Sequence, residues 1–353
     1  MARIAIIGAG AVGSMFGALL SRAGQEVTLI GRPEQVAAIR KGGLQVDGAL
    51  GQFTVQVPVA EQLDFRPDLV LLAVKTQDVA STVQANRRWL EDVPLVTLQN
   101  GVRSDDLVAG VLPPHQVVSA VLSIIATYLT PGTVTIVFPG SLIIGHPFAA
   151  PQPLTPMVAS ILDQAIPTRI STNILGAHWL KILVNVNNAL PAITNRTLQE
   201  IYAEPYLSQL IIRLLREGFA VVQRAGIRLE SLPEVSVTLI RLLGKLPLRL
   251  AARLTAAKVR RTGSNIPILG STLQSLRRQR PTEIEYLNGE IVRLGTETGV
   301  PTPLNAMVVA MVHQVEHHGR FFGVSAIREA MSGGGRWAED SESSRRTRTH
   351  QKG

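Results

Sequence analysis

Arg3 to Gly13 reads R-I-A-I-I-G-A-G-A-V-G, and this stretch decides the fold. The apolar run Arg3–Ile7 passes directly into Gly8, Gly10 and Gly13, and Gly17 follows one helical turn later. A second strand-like run, Glu26–Ile30, stops at Gly31-Arg32. Strand, glycine turn, helix, strand is the context in which G-x-G-x-x-G signals a dinucleotide site. Gly8 permits the tight turn, Gly10 lets the backbone approach a pyrophosphate, and Gly13 lets helix and strand pack closely. The N–H groups at the helix start, around Ala11 and Val12, would hold the pyrophosphate. The same glycines interrupt the apolar run, so the segment reads as strand and helix and not as a secretion signal.

The end of the second strand selects the cofactor. A chain that takes NAD usually places Asp or Glu there, against the ribose 2′-hydroxyl. Here Gly31 and Arg32 occupy that place. No carboxylate repels a 2′-phosphate, and a guanidinium can grip one with two hydrogen bonds. The sequence therefore predicts NADPH.

A chain of 353 residues suggests two domains. Its 46% hydrophobic content is ordinary for a globular protein. With no cysteine, disulfides and thiolate chemistry are excluded. Apolar stretches such as Val117–Ile125 are too short to span a bilayer, so no integral membrane association is expected. The net charge of +9 is concentrated: residues 236–262 carry seven basic and no acidic side chains. Aromatic residues make up only 4%, which leaves little for base stacking. Nucleic acid is thus not an expected partner.

Short apolar strands continue at Asp68–Val74, Leu95–Leu98, Val117–Ala126, Val134–Phe138 and Ser141–Ile144, with helical stretches between several of them. This alternation predicts an open, mostly parallel sheet that binds ligands beyond the C-terminal strand ends, where Lys75 and Asn100 sit. The proline-rich run His146–Pro156 reads as a loop. From His178 the pattern is helical, over 178–190, 206–225, 235–261, 282–298 and 305–318, with Gly226 and Gly299 as stops. The expected organisation is an α/β Rossmann-type domain (1–172), an all-α substrate and dimerisation domain (173–330), and a Gly-, Ser- and Arg-rich disordered tail (331–353). Self-association into a homodimer is left open.

Lys181, Asn185 and Asn188 are spaced i, i+4, i+7, within about 60° of one another on a helix face. Spacing alone fits a polar patch at a domain interface as well as a catalytic face. Hydride transfer to a ketone builds negative charge on oxygen, which calls for a nearby cation and then a proton. A lysine whose pKa is lowered by burial supplies both. A second cluster follows: Ser271-Thr272-Leu273-Gln274, then Arg277 to Arg280, then T-E-I-E-Y-L-N-G at Thr282–Gly289.

Taken with the glycine turn, A-V-K at Ala73–Lys75, Q-N-G at Gln99–Gly101 and W-L-K at Trp179–Lys181, the chain resembles the ketopantoate reductase (2-dehydropantoate 2-reductase) family from Arg3 to about Ala330. The resemblance implies NADPH-dependent reduction of a 2-oxo acid in a cleft between two domains, in pantothenate and coenzyme A biosynthesis in the cytoplasm. By motif, Lys181 matches the general acid and Glu283 the acid of T-E-I, with Glu283 orienting Lys181 or binding a substrate hydroxyl. Asn185 and Ser271 match substrate-binding groups, Asn100 lies between nicotinamide and substrate, and Lys75 is on the cofactor side. Two positions depart from the family. A second substrate amide falls on Ala189, with Asn188 next to it as a stand-in, and Ser275 replaces an acidic residue. Another 2-oxo acid is therefore an alternative substrate. A non-catalytic NADPH sensor is the alternative from outside enzymology, and it has no need of Lys181 and Glu283 together.

Three further features are read as incidental. His313, Glu316 and His317 form H-x-x-E-H, with no additional ligand in sight for zinc, so no metal is expected. Glu285 and Glu290 read as solvated helix residues. Arg241, Lys245, Arg249 and Arg253 recur every four residues on a Leu-rich stretch that Pro247 should kink or divide, and read as a solvated face.

Overall fold

The structure is a computed structural model that describes residues 1–148, 154–261 and 267–332. Twelve strands are present among these residues. In chain order they are β1 (Arg3–Ile7), β2 (Glu26–Ile30), β3 (Leu44–Gly48), β4 (Phe53–Val55), β5 (Val59–Ala60) and β6 (Leu69–Leu72). They continue with β7 (Leu95–Thr97), β8 (Val117–Leu122), β9 (Ile125–Thr127), β10 (Thr133–Phe138), β11 (Leu142–Gly145) and β12 (Thr168–Ile170).

Eight of them form one sheet in the order β12-β11-β8-β7-β6-β1-β2-β5. From β5 through β8 every pairing is parallel; β11 pairs antiparallel with β8, and β12 runs parallel to β11, so these two strands are reversed. A parallel sheet covered on both faces needs strands that are apolar throughout. β6 (L-V-L-L) is accordingly buried at every position. The chain builds outward from β1 through β2 to β5, then returns to β6 on the other side of β1. The C-terminal ends of β1 and β6 therefore flank the point where strand order reverses, the place where such sheets take ligands.

The second sheet, β4-β3-β10-β9, was not legible in the sequence. The expected strand Val117–Ala126 breaks at Ser123-Ile124, giving β8 to the first sheet and β9 to the second. The helix Ala11–Arg22 buries Met15, Phe16 and Leu20 in the core it shares with both sheets.

From Ile174 onward the chain is helix-rich, with a core of its own around Leu183, Leu190, Leu214 and Ile291. The expected helix 178–190 instead runs from Ile174 to Asn185, with the Asn173 side chain accepting from Gly176 N. A 3₁₀ turn (Val186–Asn188) and a short helix (Ala189–Thr194) follow. Pro191 lies in that short helix and has no N–H to give, so a continuous α-helical ladder cannot pass it. The expected helix 235–261 is two, Val237–Lys245 and Leu248–Arg261, divided at Pro247. Their inner faces bury Ile240, Leu243, Ala251 and Ala252.

The expected helix 282–298 begins only at Asn288, after a 3₁₀ turn at Ile284–Tyr286. The loop assigned to His146–Pro156 is shorter than that, because Leu154–Leu162 is helical. Met331 and Ser332 end the helix Val324–Ser332 and do not belong to a tail. Residues 333–353 lie outside the described residues. No described helix is long and apolar enough to cross a membrane.

Candidate active site

The glycine turn fits a dinucleotide for reasons visible atom by atom. Gly8 has φ +112°, and a Cβ there would stand 2.6 Å from the Ala73 carbonyl carbon at the end of β6. A Cβ on Gly13 would stand 1.9 Å from the Gly8 carbonyl oxygen. Gly10 is different: nothing lies within 4 Å of where its Cβ would be. It N-caps the helix Ala11–Arg22 without a side-chain cap, so the first N–H groups face outward. Open space before uncapped N–H groups is the shape a pyrophosphate needs. Arg32 stands at the end of β2 as the N-cap of the helix Pro33–Gly42, with its side chain exposed.

The helix Ile174–Asn185 docks along one face onto the C-terminal edge of the sheet. Lys181 Nζ donates to the carbonyl of Leu122, the last residue of β8, at 2.5 Å. One turn on, Asn185 Nδ2 donates to Asn100 Oδ1 at 3.3 Å. One turn earlier, His178 Nε2 is 2.7 Å from Ser119 Oγ. The working face is thus 178/181/185. Asn188 lies beyond the helix end, in the 3₁₀ turn, buried against Gly270 beside Ser271. Ser271 begins the helix Ser271–Arg277 and is exposed.

The His178 contact continues inward. Ser119 Oγ donates to Asp105 Oδ2 at 2.6 Å, and Thr97 Oγ1 donates to Asp105 Oδ1 at 2.5 Å. No local pattern pointed to this chain, although His178 is three residues before Lys181 and so on its face. Burial pushes the His178 pKa down, opposed by Asp105 and by a hydrogen bond to the Gly101 backbone. Burial also lowers the Lys181 pKa to about 8, against the opposing pull of Glu234, another residue that sequence reasoning missed.

Glu283 does not touch Lys181. Its Oε1 accepts from Thr76 N at 2.9 Å and Thr76 Oγ1 at 3.0 Å. Thr76 is fully buried, follows Lys75 and also reaches the Asn100 carbonyl at 3.4 Å. Glu283 thereby joins the helix-rich part to the sheet edge. The Q-N-G turn packs on the same loop: Gly101 has φ +97°, and a Cβ there would meet the Tyr286 carbonyl at 2.7 Å. Lys75 Nζ donates to Ser275 Oγ at 2.9 Å and to the Pro281 carbonyl. Its pKa is lowered mainly by burial.

Glu290 is not solvated, as the sequence had suggested. It is fully buried and held by Arg103, and by Arg293 Nη2 at 2.9 Å. Arg103 comes from the loop after β7, and a buried carboxylate persists only with such partners. Glu285 is exposed, as expected, and pairs with His313.

His313 bridges Glu285 (2.8 Å) and Glu316 (2.7 Å), and Glu316 also accepts from Thr282 N at 2.7 Å. Hydrogen bonds that His313 donates to both carboxylates raise its pKa to about 9; for Glu316, burial is outweighed by the bonds it accepts from His313 and Thr282, which lower its pKa to about 2. A raised histidine pKa stabilises the fold fully below about 6.5, and the effect is lost as pH climbs through about 9. The Tm difference between the protein and His313→Gln is therefore expected to be largest near pH 5–6 and to close by about pH 9–10. A difference independent of pH in thermal melts would contradict this.

A glycine turn shaped for a dinucleotide, beside a lysine and two asparagines gathered at the sheet edge, is an arrangement suited to a nicotinamide-dependent oxidoreductase. Two family models match the chain: "Ketopantoate reductase PanE/ApbA" over residues 4–147 and its C-terminal counterpart over residues 173–316. The chain belongs to the ketopantoate reductase family. A 2-dehydropantoate 2-reductase of Pyrococcus abyssi (strain GE5 / Orsay) is 27% identical over 316 residues, 88% of this chain and 96% of that one. The crystal structure of a PanE/ApbA family ketopantoate reductase from Ralstonia eutropha JMP134 is 31% identical, with TM-score 0.73, covering 89% of this chain and 98% of that one. D-mandelate dehydrogenase, solved with NADH and anilino(oxo)acetate, shares the fold at 24% identity and TM-score 0.76, over 89% of this chain and 98% of that one.

Proposed function

We propose that the protein reduces 2-dehydropantoate to pantoate with NADPH, with Lys181 as general acid, in pantothenate and coenzyme A biosynthesis. The observation that carries this reading is Lys181 itself. It stands at the C-terminal edge of the sheet, one turn from an asparagine bonded to Asn100, with its pKa drawn down to about 8.

Bound NADPH would supply the hydride to the ketone carbon. Gly8, Gly10 and Gly13, with the N–H groups of Ala11 and Val12, receive the pyrophosphate, and Arg32 and Lys75 serve the cofactor side. The Lys181 ammonium stabilises the negative charge growing on the ketone oxygen and then passes its proton to that oxygen. Its bond to the Leu122 carbonyl fixes where the proton is held. Asn185, Asn188 and Ser271 line the substrate side, and Asn100 stands between the two ligands. Glu283, bonded to Thr76, holds the cleft walls together and offers its second carboxylate oxygen to a substrate hydroxyl.

NADPH oxidation measured with a panel of 2-oxo acids tests the assignment. Ketopantoate is expected to give the highest kcat/KM. The second reading, another 2-oxo acid, draws on Ala189 standing where a substrate amide is expected. Turnover of other 2-oxo acids without ketopantoate would establish it, and absence of turnover with every acid would leave only NADPH binding.

A further inference from the structure

Arg32, Lys75, Arg278 and Arg280 form a group of cations near enough to act on one another's charge. Arg32 N-caps the helix Pro33–Gly42. Arg278 and Arg280 arrive from the helix-rich part of the chain, just past the helix Ser271–Arg277. Lys75 closes the group through Ser275 and the Pro281 carbonyl. The Arg278 guanidinium lies 4.3 Å from the centroid of the Tyr128 ring. The Tyr128 hydroxyl donates at 2.7 Å to Gln35, in the first turn of the helix that Arg32 caps. Arg280 Nη2 stands 3.5 Å from Glu34 Oε1 on the same turn.

Among the described residues, Arg278 makes neither an ion pair nor a side-chain hydrogen bond. Its donors are spent on nothing, although it is only partly exposed. Desolvation lowers its pKa, and Arg280 and Arg32 lower it further, while Tyr128 and Glu34 act the other way. Like charges gathered in a partly desolvated place repel, and an anion among them removes the conflict. The pyrophosphate belongs at Gly10, on a different helix. What remains for this group is an anion beyond the second strand.

We propose that Arg278 is the second half of a clamp on a ribose 2′-phosphate, facing Arg32 across the cleft. The proposal rests on the NADPH reading of Arg32. A guanidinium carbon seated over an aromatic ring spends none of its N–H groups on that contact, and they stay available to grip a phosphate with two bonds. Because Arg278 and Arg32 come from opposite walls, a 2′-phosphate between them ties the walls together, and a 2′-hydroxyl does not.

Two probes that differ by one phosphate test this: adenosine 2′,5′-bisphosphate and 5′-AMP, each as a competitor of NADPH. Arg278→Ala is expected to weaken the bisphosphate about tenfold or more, the worth of one charge-assisted contact, and to leave 5′-AMP unchanged. Arg278→Lys, which keeps the charge and loses the planar stack, should fall between. Unchanged 5′-AMP binding also reports that the variant is folded. Equal weakening of both probes, or of neither, overturns the proposal. Arg32→Ala run alongside separates the two claims. Selectivity lost there but kept in Arg278→Ala leaves the cofactor reading standing and defeats the role of Arg278. Unaltered selectivity in Arg32→Ala defeats the cofactor reading, and the clamp with it.

Discussion

Lys181→Ala is expected to lower kcat by roughly 10²–10⁴, the usual contribution of a positioned acid. NADPH affinity, read by fluorescence titration, should be unchanged, because Gly10 and Arg32 lie on other elements. The fold should also tolerate the change, since the docking bonds of His178 and Asn185 remain on either side. The pH profile carries a second signature. A general acid works while protonated, so with a pKa near 8 the turnover should hold below that pH and fall above it. Lowering from the ordinary lysine range has burial as its main cause, so the falling limb belongs to Lys181 and should vanish with it. Near-normal turnover in a variant that binds NADPH normally would make the polar face of this helix purely structural.

Arg32→Ala is expected to raise KM for NADPH by roughly 10–100-fold, equivalent to about 1.5–3 kcal/mol for a lost charge-assisted bond. KM for NADH should barely move. Stability should be unaffected: the capping role of Arg32 is carried by its carbonyl, which accepts from Gln35 N and Val36 N at 3.0 Å, and alanine keeps that carbonyl. Equal use of NADPH and NADH by the unaltered protein would remove the case for a 2′-phosphate site at this position.

The parallel core was legible because its strands are buried on both faces and so read as uninterrupted apolar runs, β6 most plainly. The second sheet was not, although its strand β10 was read as one, because its strands are partly exposed and Gln45 and Val46 pair with Thr133 and Val134 from far along the chain. Lys181 and Asn185 could be placed together because helical spacing puts them on one face. Asn188 could not be placed that way, because the helix ends at Asn185. Glu283 was visible as a motif but not as a cross-cleft contact, since nothing local relates it to Thr76. The buried chain Asp105–Ser119–His178 was hidden for the same reason: its bonds join three separate elements, and each residue taken alone is unremarkable. Glu290 misled because a charged residue on a helix is usually solvated, and its partner Arg103 is distant in sequence.

The three glycines of the turn answer to different masters. Gly8 and Gly13 are pinned by the chain's own atoms, so any lineage that keeps this fold must keep them. Gly10 has extended backbone angles open to every residue, and empty space where a side chain would go. A serine there would even furnish the helix cap that is missing. Only an occupant in front of Gly10 forbids the exchange. A descendant that gave up its nucleotide would be released at position 10 and nowhere else in the motif, so that single residue records whether the ligand is still in use.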